Sequence, residues 1–147
     1  SSSPAKLQQL RDLGADHVID HVANPEWGQT VLELTGGLGV EHVIEVGGPN
    51  TLRQSFIACR TGGQVAIIGA TAGFDNDVMP FAIVQAKRLK LQAVTVGSRR
   101  DQIDMIRGIE AHGIKPVVDR TFPLEQLAEA FTYLQTGAHV GKIGITI

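Results

Sequence analysis

An α/β fold built on a doubly wound parallel sheet is predicted by three features of the sequence. Val43 to Val46, Val65 to Ile68 and Leu91 to Val96 are apolar runs of strand length, without the polar alternation of a half-exposed strand. Each run ends in glycine, at Gly47-Gly48, Gly69 and Gly97. Helical periodicity separates the runs, and no hairpin signal joins any two of them.

The remaining elements follow in order. Ser3 and Pro4 form an N-cap and a first-turn proline, Leu7, Leu10 and Leu13 recur on one face, and Gly14 stops the helix. His17-Val18-Ile19 is a brief strand candidate. Pro25 opens a helix that runs through Leu34 and closes at the loop Gly36-Gly37-Leu38-Gly39. Asn50 is placed as the cap of a helix carrying Leu52, Phe56 and Ile57, and a short helix follows Pro80. Ile103, Ile106 and Ile109 mark one face of a helix from Asp101 to His112. Beyond Gly113 the pattern changes. An extended Val117 to Phe122, a helix with Leu127, Phe131 and Leu134, and a last strand Ile143 to Ile147 are assigned to another structural unit.

Bulk properties exclude several functions. With 147 residues, 43% of them apolar and 19% charged, the chain has the balance of an ordinary soluble domain. A net charge of -2 with scattered Lys and Arg offers no stripe for a nucleic acid backbone. No apolar run approaches the ~20 residues of a membrane helix, and the polar start lacks the marks of a secretory signal. Cys59 is the single cysteine, which rules out an internal disulfide and fits a reducing, cytoplasmic setting. The opening Ser1-Ser2-Ser3, without an initiator methionine, reads as the start of a fragment.

In an open parallel sheet, ligands bind at the carboxyl ends of the strands, where helix amino-termini and backbone amides point outward. Val46-Gly47-Gly48, Ile68-Gly69-Ala70 and Val96-Gly97-Ser98 are expected to line that rim, their small residues allowing a flat ring or a pyrophosphate close to the backbone. For any one of these turns the ordinary preference for glycine is the plainer reading; three successive strands ending alike weigh evenly between the two. No Gly-X-Gly-X-X-Gly is present, and Gly137 to Lys142 is too short for a P-loop and precedes a strand. His17, His21, His42, His112 and His139 have no metal-ligand spacing, and no serine sits in a nucleophile elbow. Nothing in the sequence places Glu45 and Asp119 together, and both read as structural.

Several segments, in order, resemble the medium-chain dehydrogenase/reductase superfamily. They are Ala5-Lys6-Leu7 through Leu13-Gly14-Ala15-Asp16-His17-Val18-Ile19-Asp20, Gly39 to Gly48, Gly62 to Gly69, Gly97-Ser98-Arg99, Ile114 to Asp119 and His139 to Ile143. The similarity covers essentially the whole chain and lies nearest the zinc-type alcohol dehydrogenase-like and quinone oxidoreductase-like branches. It implies a carboxyl-terminal piece: residues 1–114 an incomplete, Rossmann-type NAD(P)-binding domain, and residues 115–147 a tail returning to a missing catalytic domain. It also implies a hydride transfer between NAD(P)H and an alcohol, aldehyde or enone, with no catalytic residue in this chain and zinc, if used, only in the missing domain. A non-catalytic nucleotide-binding or structural relative, and an enoyl-reductase domain of a larger synthase, are the alternatives.

By the same resemblance Ser2, Ser3 and Lys6 stand at the adenosine ribose. The absence of an acidic residue there, with a lysine nearby, favours NADP(H) over NAD(H); a solvated Lys6 beside capping serines is the plainer reading. Val46, Gly47 and Gly48 would flank adenine and ribose. Ile68, Gly69, Ala70, Val96 and Gly97 would face the nicotinamide end, and Lys142 the pyrophosphate. With strand order 3-2-1-4-5-6, two strands are missing between His17 and Val43, a gap of about 14 Å. Unpaired edges should then leave the bare chain unstable or self-associating. The Leu91 to Val96 edge is expected to pair with a second subunit in a homodimer, unless Arg88 and Lys90 protect it.

Overall fold

The computed structural model describes residues 1, 3–73 and 79–147. They form two compact units, Ser1–Val96 and Gly97–Ile147, so the helix from Arg99 is counted with the tail.

In the first unit, α1 (Pro4–Asp12) and α2 (Trp27–Leu34) precede β1 (Val40–Glu45), α3 (Pro49–Ala58), β2 (Cys59–Ile67), α4 (Phe81–Lys87) and β3 (Lys90–Ala93). The strands make a parallel sheet in the order β1-β2-β3. Val43 pairs with Val65 and Val65 with Leu91, which sets these three side chains in one row on one face. Phe56 of α3 and Cys59 join Val65 in the fully buried core, with Leu52, Ile83, Val84 and Leu89 packed against it. The neighbouring row, Ile44, Ala66 and Gln92, points to the other face, and Ile44 is 65% exposed.

Local chemistry explains how α3 is seated. Its orphan carboxyl-terminal carbonyls meet Lys87, whose ammonium donates to the backbone oxygens of Phe56 (3.2 Å), Ile57 and Cys59 (2.8 Å). Partial burial pushes the Lys87 pKa down, and burial pushes the Cys59 thiol up. At Gly28 the α2 backbone comes against α3, where its amide donates to Gln54 Oε1 at 2.9 Å and an added Cβ would lie 2.5 Å from the Gln54 carbonyl oxygen.

Four sequence expectations are corrected. His17-Val18-Ile19 is not a strand. Among the described residues, Ser1 donates to Ile19 O at 3.0 Å and accepts from the His21 amide at 3.1 Å, the bonding pattern of a single parallel bridge. The second helix starts at Trp27, two residues after Pro25. Gly48, not Asn50, is the cap residue of α3, because Pro49 already occupies the first helical turn. Strand β3 ends at Ala93, although the Val94 amide still donates to Ile67 O at 2.9 Å.

The second unit holds α5 (Arg99–Ala111), β4 (Val118–Pro123), a 3-10 turn at Leu124–Gln126, α6 (Leu127–Gln135) and β5 (Lys142–Thr146). Strands β4 and β5 pair in parallel. A capping box between Ser98 and Asp101 starts α5. Asp119 ties this unit together, accepting the Tyr133 hydroxyl at 2.7 Å and the Val140 amide at 3.1 Å. The Arg120 guanidinium lies 4.3 Å from the Tyr133 ring centroid.

The Asp119 bond has a pH signature. Donation to Asp119 is the main cause holding the Tyr133 phenol above its ordinary 10.0, and the same bond, followed by the Val140 amide, holds Asp119 below its ordinary 3.8. The folded carboxylate has the lower pKa, so its stabilising contribution is present above 3.8 and is lost as pH falls through the folded value. The phenol contributes below 10.0 and loses that contribution as pH rises through its raised folded value. Phenolate absorption, taken as a difference against Tyr133→Phe, should titrate with a midpoint above 10.0, and Asp119→Ala should return it toward that value. A wild-type midpoint at or below 10.0 refutes the coupling.

Candidate functional site

Because β1 and β2 run in parallel with Glu45 opposite Ile67, their carboxyl ends emerge side by side. The pairing continues past both strands. Ile68 donates to Glu45 O at 2.8 Å, the Thr71 amide and hydroxyl donate to Val46 O at 3.0 and 3.1 Å, and the Ala72 amide donates to Gly47 O at 2.9 Å. From α3, the Asn50 side chain donates to Ala72 O at 2.7 Å. Val46-Gly47-Gly48 and Ile68-Gly69-Ala70 thus form one continuous rim, with the side chains of Val46 (42% exposed) and Ile68 (47%) open on it.

Glycine is required at one point of this rim. Gly48 has φ +88° and ψ -150°, a backbone conformation open essentially to glycine alone, and an added Cβ would lie 2.6 Å from Ala70 Cα and 2.8 Å from Ala70 Cβ. At Gly69 the corresponding Cβ would come 3.1 Å from Val46 O. The two turns approach as closely as their backbones allow, leaving a narrow ledge of small residues at the head of α3.

Beneath the ledge lies a carboxylate whose partners the sequence did not reveal. Glu45, the last residue of β1, is only 3% exposed. Its Oε1 accepts the Gly48 amide at 2.8 Å and the Thr51 hydroxyl at 2.7 Å, and its Oε2 accepts the Ser55 hydroxyl. Thr51 and Ser55 stand four residues apart and so share one face of α3. That spacing was a readable signal; the link to Glu45 through a glycine turn was not.

The structure groups six of the expected site residues: Val46, Gly47, Gly48, Ile68, Gly69 and Ala70. Ser3 and Lys6 belong to the same unit but sit at the start of α1, where Ser3 O accepts the Leu7 amide at 2.9 Å and Lys6 is half-buried. Val96, 97% exposed, is the last residue of the first unit, whereas Gly97 and Lys142 belong to the second. There the Lys142 amide donates to Val117 O at 2.9 Å. Ser2 lies outside the described residues. Glu45 and Asp119, one in each unit, serve separate networks.

The glycine ledge, which a Cβ would fill, fits a flat ring or sugar laid against backbone. Zinc does not fit in the same way. Among the described residues no group of three or more His, Cys, Asp or Glu side chains could hold a metal ion. Nor, among these residues, is any helix long and apolar enough to cross a membrane.

Comparison with known proteins agrees with this architecture. A zinc-type alcohol dehydrogenase-like protein of Schizosaccharomyces pombe is 38% identical over the whole chain, which covers 43% of that protein. A crystal structure of a putative alcohol dehydrogenase from Sinorhizobium meliloti superposes with a TM-score of 0.87 at 33% identity, over 100% of this chain and 42% of that one. A structure described as an NAD-dependent alcohol dehydrogenase superposes with a TM-score of 0.84 at 31% identity, with the same coverage of 100% and 42%. The chain therefore spans less than half the length of these relatives. The zinc-binding dehydrogenase profile matches residues 13–144, and with this ordered α/β framework the chain belongs to that family of medium-chain dehydrogenases/reductases.

Proposed function

We propose that the protein carrying this chain is an NAD(P)H-dependent oxidoreductase of the alcohol dehydrogenase or quinone/enone reductase type. Its substrate is a small alcohol, aldehyde or enone, and this chain supplies most of the dinucleotide-binding half. The observation that carries the reading is the rim at the ends of β1 and β2, where Gly48 and Gly69 clear a ledge at the carboxyl edge of a parallel sheet. Support comes also from the relatives, one of them described as NAD-dependent. In this reading Val46, Gly47 and Gly48 hold the adenosine end, Ile68, Gly69, Ala70, Val96 and Gly97 the nicotinamide end, and Lys142 the pyrophosphate. Ser2, Ser3 and Lys6 hold the ribose, and a sequence that offers serines and the basic Lys6 there in place of an acidic residue favours NADPH. The bound dinucleotide carries the hydride; the chain's own part is to seat and orient it.

Residues 1–114 are taken as the incomplete nucleotide domain and 115–147 as the segment returning to the catalytic domain. The edge strand β3, paired on one side with β2, is the surface proposed for a homodimer. Intact mass and fluorescence titration of the full-length protein with NADPH and NADH test the reading. NADPH is expected to bind the more tightly; a folded protein that binds neither refutes it.

A further inference from the structure

We infer that Glu45 is a positioning residue for the adenosine half of the dinucleotide, holding the Val46–Gly48 turn in shape and filling the anion position at the head of α3. The inference rests on the dinucleotide reading above and adds a residue and a chemical preference to it.

The amino-terminal end of a helix after a glycine turn ordinarily offers unpaired amides to a phosphate. Here the cap residue is Gly48, which has no side chain, and Pro49 contributes no amide. The acceptor comes instead from the preceding strand. Glu45 takes the Gly48 amide on Oε1, together with the Thr51 hydroxyl from the first turn of α3, while Oε2 takes the Ser55 hydroxyl one turn later. A buried carboxylate is tolerable when its lone pairs are met in this way and when it faces the positive end of a helix.

Two consequences follow for a ligand. The Gly48 amide points inward to Glu45, and the carbonyls of Val46, Gly47 and Gly48 are taken by Thr71, Ala72 and Leu52, so that amide and the three carbonyls of the turn are already committed. A phosphate at the head of α3 would also meet a buried carboxylate of like charge at the place where the helix would otherwise attract it. The ledge is therefore built for an uncharged ring or sugar resting on glycine backbone and on the Val46 side chain. Phosphate groups must be held elsewhere.

Glu45→Gln in the full-length protein tests this, because an amide cannot accept at both positions. Inhibition constants against NADPH are measured for AMP and for nicotinamide mononucleotide, at a temperature where circular dichroism shows the variant folded. The AMP constant should rise about tenfold, as loss of a charge-assisted bond to the turn requires, with the nicotinamide mononucleotide constant within about twofold. Ser55→Ala, which removes one donor and leaves the Gly48 bond, should give a smaller loss selective for AMP, about threefold, and serves if the first variant fails to fold. A loss shared equally by the two halves, or no loss in either variant, overturns the role of Glu45 and leaves the dinucleotide reading standing. A folded wild-type protein that binds no dinucleotide overturns both.

Discussion

Gly48→Ala is expected to weaken dinucleotide binding by about a hundredfold while leaving the full-length protein folded. Two effects combine. A side chain at φ +88° and ψ -150° is strained in itself by about 1–3 kcal/mol. In addition the new methyl would sit 2.6 Å from Ala70 Cα, which is backbone and cannot rotate away. The turns at Gly48 and Ala70 must separate, and with them the Val46–Thr71 and Gly47–Ala72 hydrogen bonds that make one rim of two strand ends. Gly62→Ala separates the effects, since Gly62 also has a positive φ, +74°, but nothing lies within 4 Å of its added Cβ. It should cost about 1 kcal/mol of stability and no affinity. Fluorescence titration of both variants decides the matter; a Gly48→Ala affinity within about threefold of wild type would show that the ledge is not where the ligand lies.

The parts of the fold legible in the sequence were those fixed by local pattern. Val43 to Val46 and Val65 to Ile68 read as strands because parallel strands favour apolar residues without alternation, and they pair as neighbours in the register Val43 with Val65, although Ile44 of β1, at the end of the described sheet, is 65% exposed. Ser3-Pro4 marked the start of α1 through the first-turn proline, although the Ser3 side chain makes no cap bond, and the Ile103, Ile106, Ile109 stripe marked α5 through periodicity. His17-Val18-Ile19 failed for the opposite reason: its residues suit a strand, but a strand exists only with a partner to bond, and among the described residues Ser1 supplies a single bridge.

The site divided along the same line. Strand-end glycines announced Gly47, Gly48 and Gly69, because a rim of small residues is a composition signal. Glu45 read as structural, but its partners could not be named, since its donors stand three, six and ten residues later and meet it only as the chain turns through Gly48. Lys87 was hidden in the same way, its ammonium reaching back about thirty residues to the carbonyls that end α3. Pairings of this kind depend on the route of the backbone and leave no period to read.

Phe56→Ala should remove about 3–5 kcal/mol of stability, a large share of the roughly 5–15 kcal/mol typical of a folded protein. The cost is high because the buried apolar core is small. Phe56 is fully buried with Cys59 and Val65, whereas Ile44, Val46, Ile68 and Val94 on the same three strands or just beyond them are more than two-fifths exposed. Few side chains can move in to fill the space. Leu52 shares Phe56's helix, Val43 and Leu91 are held in register on either side of Val65, and Lys87 pins the helix end through Phe56 O, so the cavity cannot collapse cheaply. Leu38→Ala, at a position 76% exposed, should stay within about 0.5 kcal/mol of wild type as a control. Urea unfolding of the full-length protein checks both, with an unchanged slope confirming that the native state is what has been destabilised. A loss below about 1.5 kcal/mol for Phe56→Ala would mean that α3 is not anchored through this core. The Glu45 clasp at its other end would then have to hold the helix, and the rim built on it, to the sheet.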